Sequence, residues 1–210
     1  MPVRSPARAA FWLAGVWLLL ALLAACQPKV PQLPRLSADD VVLAFGDSLT
    51  HGTGVATTEA YPAQLQAIIG RQVVNAGVPG ETTAQGLARL ADALDTHAPR
   101  LVLLCLGGND MLRGMDMGEA EANVRDMVRL IRERGIGLVL IGVPEPRLLS
   151  DPPAFYATVA EEFGLPYEGG VFDDVLKSPA LKSDPIHPNA QGYRQVAEAL
   201  AALLAEAGAL

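Results

Sequence analysis

The chain has 210 residues, 50% of them hydrophobic and 19% charged, which fits one globular domain plus an additional segment and excludes a disordered or repetitive protein. Its net charge is −7, and beyond residue 25 it becomes −9, from 14 Lys and Arg against 23 Asp and Glu. Neutralising phosphates takes clustered cations that such a chain lacks, so no nucleic-acid partner is expected.

Arg4 and Arg8 precede seventeen uncharged residues, 9–25, and then Cys26. This order of cation, apolar run and small residues predicts an export signal over 1–25. "LAAC", residues 23–26, resembles the lipobox of bacterial lipoproteins; the resemblance implies lipidation of Cys26 and a membrane anchor there. An uncleaved anchor is the alternative, because seventeen apolar residues lie at the low edge of a bilayer span. Gln27 is not the aspartate that the resemblance links to inner-membrane retention, so the expected location is the cell envelope, at the periplasmic side of the outer membrane. Residues 26–38 then form the lipidated cysteine and a tether. Three prolines within 27–36 predict an extended stretch of about 30 Å at ~3.1 Å per residue.

From residue 39 to 210, short apolar runs alternate with helical patterns. Strands are predicted over 41–45, 73–75, 101–106 and 138–141, with a short extended stretch at 166–167. Helices are predicted over 60–69, 83–94, 119–134, 153–163 and 189–207. The last is the most regular: Val196, Leu200, Leu203 and Leu204 recur three or four apart, a core-facing stripe. Continuous apolar strands between amphipathic helices predict a parallel sheet covered on both faces, a three-layer α/β/α sandwich. Cys105, inside "LVLLCLGG", reads as a small core residue with no disulfide partner.

Polar, glycine-rich clusters follow the first three strands: "GDSLT", "NAGVPGETT" and "GGND". In open α/β sheets, ligands bind beyond the carboxyl ends of the strands. Ser48 in the first cluster has the position of a helix cap, a phosphate ligand or a nucleophile. No glycine-rich loop with a lysine follows the strand, which weakens a nucleotide site. No His-x-x-x-His or paired-cysteine spacing suggests a metal, and no cofactor is expected. A nucleophile needs a base and a group that orients the base. Among three histidines, His51 suits the rim of a site and His97 an exposed loop. His187, in "SDPIHPNAQGY", has Asp184 three residues before it, a spacing that can bring a carboxylate under the imidazole.

"GDSLT" with Ser48, "NAGVPGETTAQGLARL" with Gly80, "LGGNDMLRG" with Asn109 and "DPIHPNAQGY" with Asp184 and His187 together resemble the four signature blocks of the GDSL or SGNH hydrolases. "YPAQLQ" and "GGNDMLRG" are similar to the bacterial thioesterase I, lysophospholipase L1 and arylesterase branch. The resemblance implies a five-stranded flavodoxin-like sheet. It also implies Ser48 as nucleophile, His187 as base and then acid, and Asp184 as the orienting carboxylate. The backbone N–H groups of Ser48 and Gly80 and the Asn109 side chain would form the oxyanion hole. Asp47 is expected to support the site, not to react.

The segment "GVPEPRLLSDPPAFY", 142–156, departs from the Pro-Asn-Tyr-Gly-like stretch of that branch. Its Leu148, with Met111, Leu112 and Met115 opposite, is expected either to accept an apolar acyl chain or simply to pack the loops. The substrate expected is an acyl ester or thioester. An O-acetylated carbohydrate and a non-catalytic envelope lipoprotein stand as alternatives, because fold alone does not fix function.

Overall fold

Five parallel strands and eight α-helices make up the residues that the computed structural model describes, 30–145 and 151–210. The strands are β1 Val41–Gly46, β2 Gln72–Gly77, β3 Leu101–Cys105, β4 Gly137–Ile141 and β5 Tyr167–Glu168, in the spatial order β2-β1-β3-β4-β5. The helices are α1 Ser48–His51, α2 Tyr61–Ile69, α3 Thr83–His97, α4 Gly108–Leu112, α5 Met117–Glu133, α6 Phe155–Phe163, α7 Val171–Lys177 and α8 Ala190–Glu206.

The central strands are unbroken apolar runs because both of their faces are covered: residues 42–45, 101–105 and 138–141 are each at most 1% exposed. Every such Leu, Val or Ile contributes about 1.5–3 kcal/mol of burial. Helix α2 packs on α8, with α7 beside it, while α3 packs on α5, with α6 beside that. Val124, Val128 and Ile131 of α5, and Val196, Leu200 and Leu204 of α8, are the buried stripes of their helices. The two helical groups flank the sheet, so the fold is the expected three-layer sandwich.

The connection from β1 leads to one edge strand, whereas the chain after β2 passes back over β1 to β3. The loops that follow β1 and β3 therefore diverge, and such a divergence opens a crevice at the carboxyl ends of the strands.

The structure differs from the sequence reading in three places. Strand β2 extends to Gly77, although only part of it is buried. Helices α1, α4 and α7, each of seven residues or fewer, were not foreseen from periodicity. Residues 31–36, expected to belong to the tether, are bound to the domain. The Leu33 N–H donates to Ala207 O at 2.9 Å, the Leu36 N–H donates to Ala209 O at 2.8 Å, and Leu36 is 3% exposed. Pro34 packs over Gly137, where a β-carbon would sit 2.9 Å from the proline ring. The export signal and Cys26 lie outside the described residues. Among the described residues no helix is long and apolar enough to cross a membrane. Cys105 is a fully buried free thiol, and burial pushes its pKa well up.

Candidate functional site

Strand β1 ends at Gly46, where only glycine fits: a β-carbon would lie 2.3 Å from both Cys105 O and Thr50 Oγ1. The chain turns at once into α1, whose first residue is Ser48. Asp47 caps that helix, its Oδ1 accepting the Leu49 N–H at 3.0 Å. Gly52 closes it in the left-handed region at φ 90°, its N–H returning to Ser48 O at 3.1 Å. This tight strand-to-helix turn sets Ser48, half-buried, at the mouth of the crevice.

His187 and Asp184 arrive on the loop between α7 and α8. An antiparallel bridge between Lys182 and Pro188 pinches this loop, and the Ser183 hydroxyl donates to Pro188 O at 3.1 Å. Asp184 Oδ1 accepts the N–H groups of Ile186 and His187, both at 2.9 Å, and Oδ2 lies 2.7 Å from His187 Nδ1. A carboxylate at Nδ1 fixes the proton there and leaves Nε2 as an acceptor. The Ser48 hydroxyl, 3.0 Å from Nε2, donates to it. The three residues thus form one continuous hydrogen-bonded chain. Burial of Asp184 acts to raise its pKa, but the hydrogen bonds from the His187 ring and the Ile186 N–H outweigh it and hold the carboxyl below the usual range.

Asn109 lines the same cleft as Ser48 and His187, and Gly80 lies in the loop that follows β2. Gly80, after β2, has φ 80°, a conformation that glycine adopts without strain. Asn109, in α4 after β3, donates through Nδ2 to Glu81 O at 3.0 Å and to Asp47 Oδ2 at 3.2 Å. Asp47 therefore touches both the Ser48 helix and the Asn109 amide. Burial, reinforced by the nearby carboxylates of Glu81 and Asp110 and only partly offset by the Leu49 N–H, raises its pKa to about 7. Asp110 is 2% exposed and accepts from the Thr83 N–H at 3.0 Å and the Thr83 hydroxyl at 2.7 Å, which ties α4 to the start of α3.

The cleft at Ser48, His187 and Asn109 is walled by Leu49, Leu112, Val143, Pro144, Leu176 and Ile186. Of the four residues expected to form an acyl pocket, Leu112 is on this wall. Met111, within α4, packs against the core, and Met115, three residues beyond the end of α4, is 39% exposed; neither lines the cleft. Leu148 lies outside the described residues. The sequence reading missed Leu176 and Ile186; a short helix after two glycines and a lone loop isoleucine gave no periodic signal. His51 is exposed and lines a separate groove with Gln66 and Asn75, while His97 is half-buried in the last turn of α3. Among the described residues, no group of three His, Cys, Asp or Glu is placed to hold a metal ion.

Residues 44–195 match the GDSL-like Lipase/Acylhydrolase family. The chain is 34% identical over 175 residues to Thioesterase 1/protease 1/lysophospholipase L1 of Escherichia coli (strain K12), covering 80% of this chain and 84% of that protein. It is similar to the crystal structure of AlinE4, an SGNH-hydrolase family esterase, at 33% identity and TM-score 0.65, with 82% of this chain and 98% of that chain covered. The crystal structure of TesA is similar at TM-score 0.73 and 28% identity, over 80% of this chain and 99% of that one.

Proposed function

The chain belongs to the GDSL-like lipase/acylhydrolase family, and from that premise we propose that it is a serine esterase that forms an acyl-enzyme on Ser48. The observation that carries this is the unbroken chain Asp184–His187–Ser48, at 2.7 and 3.0 Å, facing an amide donor and an apolar cleft.

Ser48 Oγ attacks the acyl carbonyl as its proton passes to His187 Nε2, and Asp184 holds the imidazolium that results. The carbonyl oxygen becomes an oxyanion, which receives the N–H groups of Ser48 and Gly80 and one N–H of Asn109. Both Asn109 N–H groups have acceptors before substrate arrives, so the longer bond, to Asp47 at 3.2 Å, is the one shared with the oxyanion. A donor of this kind is worth about 3 kcal/mol of transition-state stabilisation. Collapse expels the alcohol or thiol, which takes the proton from His187. Water, deprotonated by the same nitrogen, then releases the carboxylic acid. The apolar wall of Leu112, Val143, Leu176 and Ile186 supports an acyl chain as the group bound beside Ser48. The leader over 1–25 and "LAAC" support export to the cell envelope with a lipid anchor on Cys26.

The test is turnover of p-nitrophenyl esters from acetyl to palmitoyl by the protein and by its Ser48→Ala variant. Loss of turnover by at least 10³-fold in the folded variant is expected. Preserved turnover would remove Ser48 from the chemistry, and activity confined to acetyl esters would replace an acyl-chain pocket by deacetylation.

A further inference from the structure

Gly80 has open space around it. A β-carbon placed there would meet nothing nearer than Arg113 Nη2 at 3.7 Å, so side-chain packing against Gly80 does not fix where its N–H points. Its place is set by polar contacts to the peptide groups around it. Arg113 Nη2 donates to Gly80 O at 2.6 Å, and Asn109 Nδ2 donates to Glu81 O at 3.0 Å. The Glu81 side chain, 5% exposed, is gripped by Arg89 of α3 through two parallel bonds, Nε to Oε1 and Nη2 to Oε2, both 2.6 Å.

Arg89 reaches further. Its Nη2 also donates to Ala76 O at 2.8 Å and, more weakly, to Gly46 O at 3.3 Å, and its guanidinium lies over the Phe45 ring at 3.9 Å. One planar cation therefore joins the end of β1, two residues before Ser48, to the end of β2 and to the residue after Gly80. A lysine ammonium lacks the fork that spans these acceptors.

We propose that Arg89, acting through Glu81, is a positioning residue that sets the spacing between the backbone N–H groups of Ser48 and Gly80. Those two donors meet the oxyanion and not the ground-state substrate, so loosening the strut weakens the transition state and leaves substrate binding alone. The inference rests on the esterase reading of the same site.

The experiment compares Arg89→Lys and the paired Arg89→Met/Glu81→Met variant with the unaltered protein, with Ser48→Ala alongside. The paired variant removes both charges, so no buried carboxylate is stranded. Three quantities are measured: kcat and KM on a p-nitrophenyl ester, the inhibition constant of an alkyl boronic acid whose serine adduct is tetrahedral, and the melting temperature. A displaced donor predicts that kcat falls by about 10- to 100-fold. KM stays within about twofold, and the boronate inhibition constant rises in step with the loss of kcat. Wild-type kcat in a folded paired variant would overturn the inference and leave the pair a purely structural strut. A fall in kcat with unchanged boronate affinity would overturn it as well. If the paired variant does not fold, Arg89→Lys decides by the same split. Turnover surviving in Ser48→Ala would overturn the esterase reading and this inference with it, whereas loss there beside unaffected Arg89 variants overturns only this inference.

Discussion

Asp47 is 1% exposed yet carries a carboxyl, and replacing it by asparagine tests how its burial couples to stability. Burial and the charges of Glu81 and Asp110 raise its pKa from 3.8 to about 7. The folded state therefore binds a proton that the unfolded state has released throughout the range between those values. The contribution of Asp47 to stability must then fall as pH rises from about 4 to about 7 and stay level above. At 1.36 kcal/mol per unit, a shift of about three units corresponds to about 4 kcal/mol at pH 8. Asp47→Asn abolishes this slope. It also turns the contact with Asn109 Nδ2 into two facing amides, at a cost of about 1–2 kcal/mol unless one of them rotates. The variant is thus expected to be about 2–3 kcal/mol more stable than the unaltered protein at pH 8, and equal or less stable at pH 4.5. Urea denaturation of both proteins at pH 4.5, 6 and 8 measures the difference, in which the groups they share largely cancel. A difference that stays constant over this range would refute the reasoning, because Asp47 would then titrate as it does in the unfolded chain.

Ala98, exposed at the end of α3, has φ 42° and ψ 52°, which costs an L-residue about 1–2 kcal/mol. Ala98→Gly should stabilise the domain by about 0.5–1 kcal/mol after the entropy that glycine loses, a rise of a few degrees in Tm by calorimetry; no rise would show that the left-handed conformation is not strained. Tyr156 is buried and its hydroxyl donates to Leu106 O at 2.7 Å, so Tyr156→Phe leaves that carbonyl without a partner and should cost about 1–3 kcal/mol in urea unfolding. A cost below about 0.5 kcal/mol would mean that the carbonyl finds another donor.

The strands that could be read in the sequence are those buried on both faces, where nothing interrupts the apolar run. Strand β2 was legible only in part, because an edge strand with exposed Gln72 and Asn75 has no continuous run to mark its ends. The short helices α1 and α4 begin at Ser48 and Gly108 and are too brief to show a 3.6-residue period; α1 starts from the Asp47 cap, and α4 follows Gly107 at φ 125° with no side-chain cap. The prolines of 27–36 predicted an extended conformation, but Leu33 and Leu36 also carry enough apolar surface to lie on the domain. Ser48, Asp184 and His187 were legible as a group because few residue types suit their chemistry and three histidines left little choice. The Arg89 fork was not. Its acceptors lie 8, 13 and 43 residues away in sequence, and two of them are backbone carbonyls with no side-chain signature.

The two sides of the site rest on different physics. Asp184 has a side chain 41% exposed, so its attraction for the His187 ring is screened by water, and the geometry of the base depends on the backbone of a pinched loop. Asp47, Glu81 and Asp110, on the side of the proposed oxyanion hole, are 1%, 5% and 2% exposed, and there each contact acts at low dielectric. Rigidity is needed most on that second side. A base can follow the hydroxyl by rotating about its side-chain bonds, whereas backbone donors have no such freedom and must already stand where charge will develop. The buried carboxylates and the Arg89 fork cost desolvation, and what the fork joins is the end of β1, the end of β2 and Glu81 in the loop after β2. The turns that carry the Ser48 and Gly80 N–H groups leave β1 and β2, while Asn109 follows β3, so the three donors of the proposed oxyanion hole all come from the carboxyl ends of adjacent strands.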